Sequence, residues 1–401
     1  MQEKGKWKMI LKGIKVIDLT HAYNGPFCTM HLADHGAEVI KIERSGFGDQ
    51  SRTWPPLKDG ESGYYAFLNR NKKGMTLNLR SDKGKEIFEK LLSDADVLVE
   101  NFRTGTLSKL GYSWEFLNKK YPRLIYAQGS GFGTYGPLSA RGSYDVVAQA
   151  MGGIMSITGF ANNPPTKVGP SIADNYTGTY LALGISMALF WREKTGRGQR
   201  IEVSMQDTVF SVLENAVVEY TMAGRLLPRQ GNIDPGIAPF DLFACKDGHM
   251  IIGIGTNGMW ARFCEIMGHP ALGTDPRYNS NINRVNNYLP ELRETIETWT
   301  SSKTEAEVEE ILLEKDIPCG RVLNVKEITE HPHTKAREMI VEVDHPKIGK
   351  MRIPGVPIKF EETPGSVREP GPLLGQHNEI VLKELGYTEE EIQSLKDGDA
   401  L

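Results

Sequence analysis

The sequence predicts an α/β fold built on a parallel sheet. Two observations lead there. Short runs rich in Val and Ile alternate with segments whose apolar residues recur at helical spacing. Gly and Pro breaks separate the runs, so each has room for one strand or one helix.

The elements follow in order. Residues 14–20, IKVIDLT, read as the first strand. Asn24-Gly25-Pro26 then turns the chain into a helix over 27–35 that Gly36 ends. Residues 37–43, AEVIKIE, form the second strand and residues 75–79 the third. Residues 81–92 form an amphipathic helix with Ile87, Phe88, Leu91 and Leu92 on one face. Residues 96–100, DVLVE, and 123–127, RLIYA, add two more strands. A Gly- and Pro-rich passage from Gly152 to Pro170 precedes a helix over 177–194, closed by Gly196, and a strand over 199–205. This alternation implies helices on both faces of the sheet and ligands at the carboxyl ends of its strands.

The pattern changes over 224–239, where Pro and Gly rise and periodicity fades, as expected of a linker. Short strands at 242–244 and 250–253 and helices over 259–267, 289–300 and 304–315 predict a smaller α+β domain. Residues 332–375 read as extended and proline-rich, followed by helices over 379–385 and 389–396. The expected division is a large domain from 1–223 and 332–401, with the linker and small domain, 224–331, between.

Bulk properties narrow the class. A chain of 401 residues exceeds one ordinary core. Its 39% hydrophobic and 24% charged content fits a soluble globular protein. A net charge of −4 gives no general attraction for nucleic acid or an anionic membrane. Cys28, Cys245, Cys264 and Cys319 form no CxxC pair, which predicts a reducing compartment and no metal site. The basic N-terminus lacks the apolar core of a signal peptide, and no apolar run is long enough to span a membrane, so the expected location is cytoplasmic.

Asp174 is the most informative single residue. It lies in VGPSIADNYTG, just before the apolar helix. There it meets the positive end of a helix dipole with few competing polar groups in sequence. Held ionised, it could attack an activated acyl group. Taken alone, the fragment fits a helix cap better.

Other candidates stand beside plainer alternatives. His21, with Tyr23 and Asn24, follows the first strand at the ligand-binding end, or merely forms a turn. Gly129-Ser130-Gly131-Phe132-Gly133 fails the dinucleotide fingerprint, yet its glycines could let a thioester carbonyl approach the backbone. Lys41, Arg44, Arg70, Lys72 and Lys73 form either a phosphate-binding rim or solvated surface charge. His31 and His35 have a metal-binding spacing without a clear third ligand, and read as packed or exposed. No GxSxG elbow is present, which argues against a serine hydrolase.

At this point the chain resembles a known family. LKGIKVIDLTHAYNGP, GAEVIKIER, NRNKKGMTLNL, ADVLVENFRTG, YDVVAQAMGG, IADNYTG, KTGRGQRIEVSMQD, DIPCGRV and GPLLGQHNEIVLKELG resemble the family III CoA-transferases of CaiB/BaiF type. That group contains formyl-CoA:oxalate and carnitine CoA-transferases, with alpha-methylacyl-CoA racemase in the same superfamily. The resemblance covers nearly the whole chain. It implies a Rossmann-like large domain, an interlocked homodimer, and coenzyme A as the thioester substrate, with no metal.

The resemblance also implies site roles. Asp174 matches the catalytic aspartate. His21, Tyr23 and Asn24 match the loop lining the acyl site, and Tyr144 and Asp145 the pair facing that aspartate. Arg44, Lys73, Asn101, Phe102 and Lys109 match the CoA contacts, with Phe102 near the adenine. The implied route passes through aspartyl anhydride and aspartyl-CoA thioester intermediates.

Two departures bear on the substrate. Oxalate-using members carry Gln at the position of Tyr23, and a glycine-repeat loop where this chain has RQGNIDPGIAPFDLF. An acceptor other than oxalate, and larger, is the expectation. The GN…GxAPF run is closer to racemases and carnitine-type transferases. Racemases, however, use a histidine in GHD where this chain has Tyr144 in SYD, and Tyr is a poor base near neutral pH. The glutamate expected after GAI is also missing from GIGTNGMW. A CoA-binding homologue without catalysis is the remaining alternative, against which the intact Asp174 region stands.

Overall fold

A computed structural model describes residues 9–401. Its main sheet has six strands: β1 (Lys15–Asp18), β2 (Glu38–Glu43), β3 (Lys73–Thr76), β4 (Val97–Glu100), β5 (Ile125–Ser130) and β6 (Arg200–Ser204). All pairings are parallel, in the order β3-β2-β1-β4-β5-β6. Val16 of β1 pairs with Val39 on one side and Val97 on the other. This is the doubly wound Rossmann order. The chain winds outward one way from β1 and then the other way from β4, which opens a crevice beyond their carboxyl ends.

The helices that frame this crevice are α1 (Asn24–Asp34), α2 (Asp82–Ser93), α3 (Asp145–Met151) and α4 (Ile172–Thr195). On one face of the sheet, Cys28 and Leu32 of α1 and Leu181 and Ile185 of α4 pack on Val16, Val39, Val97 and Val99. On the other, Ile87, Phe88, Leu91 and Leu92 of α2 join Val381, Leu382, Ile392 and Leu395 against Ile17, Ile42 and Leu98. Burial on both faces is why the strands read as nearly continuous apolar runs. The C-terminal segment also covers the free edge of β3. His377 Nδ1 accepts from the Gly74 amide and Asn378 Oδ1 from the Thr76 amide, each at 2.9 Å.

Gly178 sets how closely α1 and α4 approach. A Cβ there would lie 2.6 Å from the Asn24 carbonyl oxygen. The contact joins the start of α1 to the first turns of α4.

The described chain divides into two compact units. The larger comprises the residues up to Ile154, Lys167–Val217 and Pro332–Leu401. The second comprises Met155–Thr166 and Val218–His331. Its antiparallel sheet places His249–Gly253 between Phe240–Ala244 and Cys319–Arg321. Phe243, Trp260, Phe263, Ile296 and Leu312 fill its core.

Several elements differ from the sequence expectation. α4 begins at Ile172 rather than 177, so Asp174 belongs to its first turn. The cause is tertiary: Asp145 Oδ1 accepts from the Ala173 amide at 2.9 Å and the Asp174 amide at 3.4 Å. The expected helix over 289–300 breaks because Leu289 is extended before Pro290, and regular helix runs over Arg293–Ser301. Residues 332–375 are not simply extended: they include a hairpin of Ile340–His345 and Gly349–Pro354. All four cysteines are free thiols.

Candidate active site

Two cavities open at the carboxyl ends of β1 and β4, and both belong to the larger unit. The first, about 670 Å³, is lined by His21, Tyr23, Asn24, Asn101, Tyr144, Asp145 and Asp174, with Trp54, Tyr64 and the Gly129–Gly131 backbone. The second, about 910 Å³, is lined by Arg44, Phe47, Asp49, Arg80, Phe102 and Lys109. His21, Gln50 and Phe102 line both. A ligand longer than either cavity can therefore run past these three residues.

The turn after β1 orients the first cavity. His21 donates its amide to Asn101 Oδ1 at 2.9 Å, and Asn101 Nδ2 donates to the His21 carbonyl at 2.8 Å. Asn101 Nδ2 also donates to Asn24 Oδ1 at 2.9 Å. That fixes the Asn24 amide group, whose Nδ2 donates to Asp174 Oδ1 at 2.9 Å. Asn101 is thus engaged in bracing the turn. Gly129 makes room for it, since a Cβ there would stand 3.1 Å from Asn24 Oδ1.

Asp174 has no ion-pair partner among the described residues. Burial, and then the neighbouring Asp145, push its carboxyl up to about 7, while hydrogen bonds from Asn24 pull the other way. Its place in the first turn of α4 does not keep this carboxyl in the ordinary carboxylate range. Asp145, not Asp174, takes the first amides of α4. Its other oxygen accepts from Gln149 Nε2 at 2.7 Å.

Aromatic groups form part of the wall. The Tyr23 ring stacks on Phe27 at 5.4 Å and meets Tyr64 at 5.9 Å, and Tyr64 meets Trp54 at 5.4 Å. Burial and then the charge of Asp174 push the Tyr23 hydroxyl up to about 12, so it stays protonated at neutral pH. Tyr144 is exposed and precedes α3. His21 stacks on Phe102 at 5.6 Å, and burial lowers its pKa, favouring the neutral ring.

The five basic residues first considered do not share a rim. Lys41, Arg70 and Lys72 are buried in ion pairs with Asp49, Asp34 and Asp18 at 2.9, 2.6 and 3.0 Å. Lys73 lines neither cavity and instead pairs with Glu38 and Glu384. Arg44 and Lys109 do line the second cavity, together with Arg80. None of these three has an ion-pair partner among the described residues. Arg80 was missed from sequence. It sits four residues beyond β3, where the same carboxyl-end rule that singled out His21 applies. Trp54 and Tyr64 carry no such signal, because they lie outside the sheet strands. His31 and His35 are packed: Phe27 lies 4.5 Å from His31, and Phe360 lies 5.5 Å from His35.

A doubly wound sheet with a carboxylate-bearing cavity joined to one lined by Arg44, Arg80 and Lys109 together with Glu43, Asp49 and Asp399 fits an enzyme for elongated, polar substrates. Comparison with known proteins makes the assignment specific. The family model described as CoA-transferase family III matches residues 11–378, and the chain belongs to that family. Its members transfer CoA between acids, so this chain is a CoA-transferase acting on CoA thioesters. It is 37% identical to succinyl-CoA–D-citramalate CoA-transferase of Chloroflexus aurantiacus, over 96% of each chain. It is 40% identical to acetyl-CoA:oxalate CoA-transferase of Acetobacter aceti, over 94% of this chain and 96% of that one. A crystal structure of a CAIB/BAIF family protein from Brucella suis matches with a TM-score of 0.83 and 33% identity, covering 94% of this chain and all of that one. Among the described residues, no helix is long and apolar enough to cross a membrane.

Proposed function

We propose that Asp174 carries CoA transfer through covalent intermediates. The observation behind this is a cavity-lining carboxylate that is oriented by Asn24 and has no ion-pair partner among the described residues. The ionised carboxylate attacks the thioester carbonyl of the donor, forming an aspartyl-acyl anhydride and releasing CoA thiolate. The thiolate attacks the aspartyl carbonyl, forming aspartyl-CoA thioester and freeing the donor acid. The acceptor carboxylate attacks that thioester, giving a second anhydride and thiolate. The thiolate then takes the acceptor acyl group and regenerates Asp174. Amides near Gly129–Gly131 suit the developing oxyanions.

The second cavity takes the phosphate-bearing end of CoA. Arg44, Arg80 and Lys109 supply unpaired cations, and Phe102 an aromatic face at the passage to the acyl site. The acceptor is a carboxylic acid larger than oxalate. Tyr23, Trp54 and Tyr64 give the acyl cavity an apolar wall that such a body would cover. The protein acts as a homodimer. α4 leaves Tyr180, Leu183, Met187, Phe190 and Trp191 exposed along its length, an apolar stripe that a second copy would cover.

The test mixes the enzyme with acetyl-, succinyl- and formyl-CoA and a panel of acids including oxalate, carnitine and 2-hydroxy acids. Mass spectrometry should find a new acyl-CoA from an acid larger than oxalate. A preference for oxalate overturns the acceptor reading. Deuterium entering the alpha carbon of a 2-methylacyl-CoA, without exchange, overturns the transferase route.

A further inference from the structure

Asp49 belongs to the wall of the second cavity, yet its carboxylate faces the turn that builds the first. The side chain is 1% exposed. Its Oδ1 accepts from the Ala22 amide at 3.1 Å, and from the Ser51 amide and hydroxyl at 2.9 Å each. Its Oδ2 accepts from Lys41 Nζ at 2.9 Å, and Lys41 also donates to the Thr20 carbonyl at 2.7 Å. The Asp49 amide donates to Glu43 Oε2 at 2.8 Å, joining the two residues that flank the Arg44–Gly48 turn.

Ala22 needs such a clamp. Its φ of +65° lies in the left-handed region, which disfavours a side chain bearing Cβ. With Ala22 so turned, and Asn101 bracing the turn, His21 lies beside Phe102 and Asn24 reaches Asp174. One buried carboxylate thus ties the end of the Arg44–Gly48 segment, which lines the second cavity, to the backbone of the turn that carries Asn24.

We propose that Asp49 is a positioning residue that couples occupancy of the phosphate-binding cavity to the geometry of Asp174. Contacts made to the distal part of CoA settle the 44–50 segment, Asp49 holds Ala22, and Asn24 is then set against the nucleophile. Binding energy from the non-reacting end of the substrate is in this way expressed as turnover rather than as affinity. The inference rests on the reading above of Asp174 and of the second cavity.

The experiment compares one active acyl group carried on CoA and on pantetheine, which lacks the nucleotide. The wild type should turn over the pantetheine thioester far more slowly at saturation. Asp49→Asn should lower kcat for the acyl-CoA by about a hundredfold, with KM changed less than about threefold, and lower kcat for the pantetheine thioester by a far smaller factor. The pair Lys41→Met with Asp49→Asn serves if the single variant misfolds, because it leaves no orphaned ammonium. Equal proportional losses on both thioesters, or a rise in KM alone, overturn the coupling. Asp174→Ala run in parallel separates the two readings: full turnover in that variant removes the nucleophile assignment itself, whatever Asp49 does.

Discussion

Asp49 and Asp174 are both withdrawn from water at the same end of the sheet, and they titrate in opposite directions. Burial raises both. For Asp49, Lys41 and amide donors more than offset it and hold the carboxyl at about 2. For Asp174 the nearest charge is another carboxylate, Asp145, and the carboxyl rises to about 7. The difference lies in the partner, not in the depth. A paired carboxylate is a stable strut whose negative charge is already matched. An unpaired one stays more basic, at the expense of stability.

The largest expected effect breaks the comparison at its reactive side. Asp174→Asn should reduce CoA exchange by at least about 10⁴-fold while CoA binding persists. The same variant should be more stable than the wild type near neutral pH and above. The native carboxyl holds its proton more tightly than the unfolded one, so wild-type stability falls as pH rises from the ordinary carboxylate range through about 7. The melting temperature of Asp174→Asn should exceed that of the wild type by a few degrees at about pH 8, and the gap should vanish below about pH 4. A variant less stable at both pH values contradicts the raised pKa.

The next prediction sharpens the role of the neighbour. If ionised Asp174 is the attacking form, kcat/KM rises with pH through about 7. Asp145→Asn removes the like charge and should move that acid limb down by about one unit, leaving the alkaline side little altered. The asparagine oxygen can still accept from the Ala173 amide, which separates the charge from the cap. An unmoved limb assigns the raised pKa to burial alone.

The smallest effect concerns the cations left free for a ligand. Arg80→Gln should lower kcat/KM for acyl-CoA about tenfold and leave the pantetheine thioester unaffected. Lys73→Gln should change neither, because Lys73 is held by Glu38 and Glu384. The reverse pattern relocates the phosphate site.

The parallel sheet was legible because strands buried on both faces write nearly continuous apolar runs, as in VID of β1 and VLVE of β4. The turn after β1 was legible because polar residues directly follow an apolar strand at the end where ligands bind. Lys41 and Lys72 were not, since a lysine in sequence looks the same in a strut and on a rim. Only their partners Asp49 and Asp18, brought to them by the fold, distinguish the two. The start of α4 was misplaced for a similar reason: the acceptor for its first amides is Asp145, 28 residues upstream of Ala173.

By itself the sequence determined the α/β class, the family and the candidate residues, because periodicity and motifs are local properties of the chain. The tertiary structure decided which candidates meet. It spread Asn101 across His21 and Asn24, withdrew Lys73 from the cavities, and brought Arg80 to the second of them. It also set the charge state of Asp174, since desolvation and the field of Asp145 are properties of packed space rather than of sequence order.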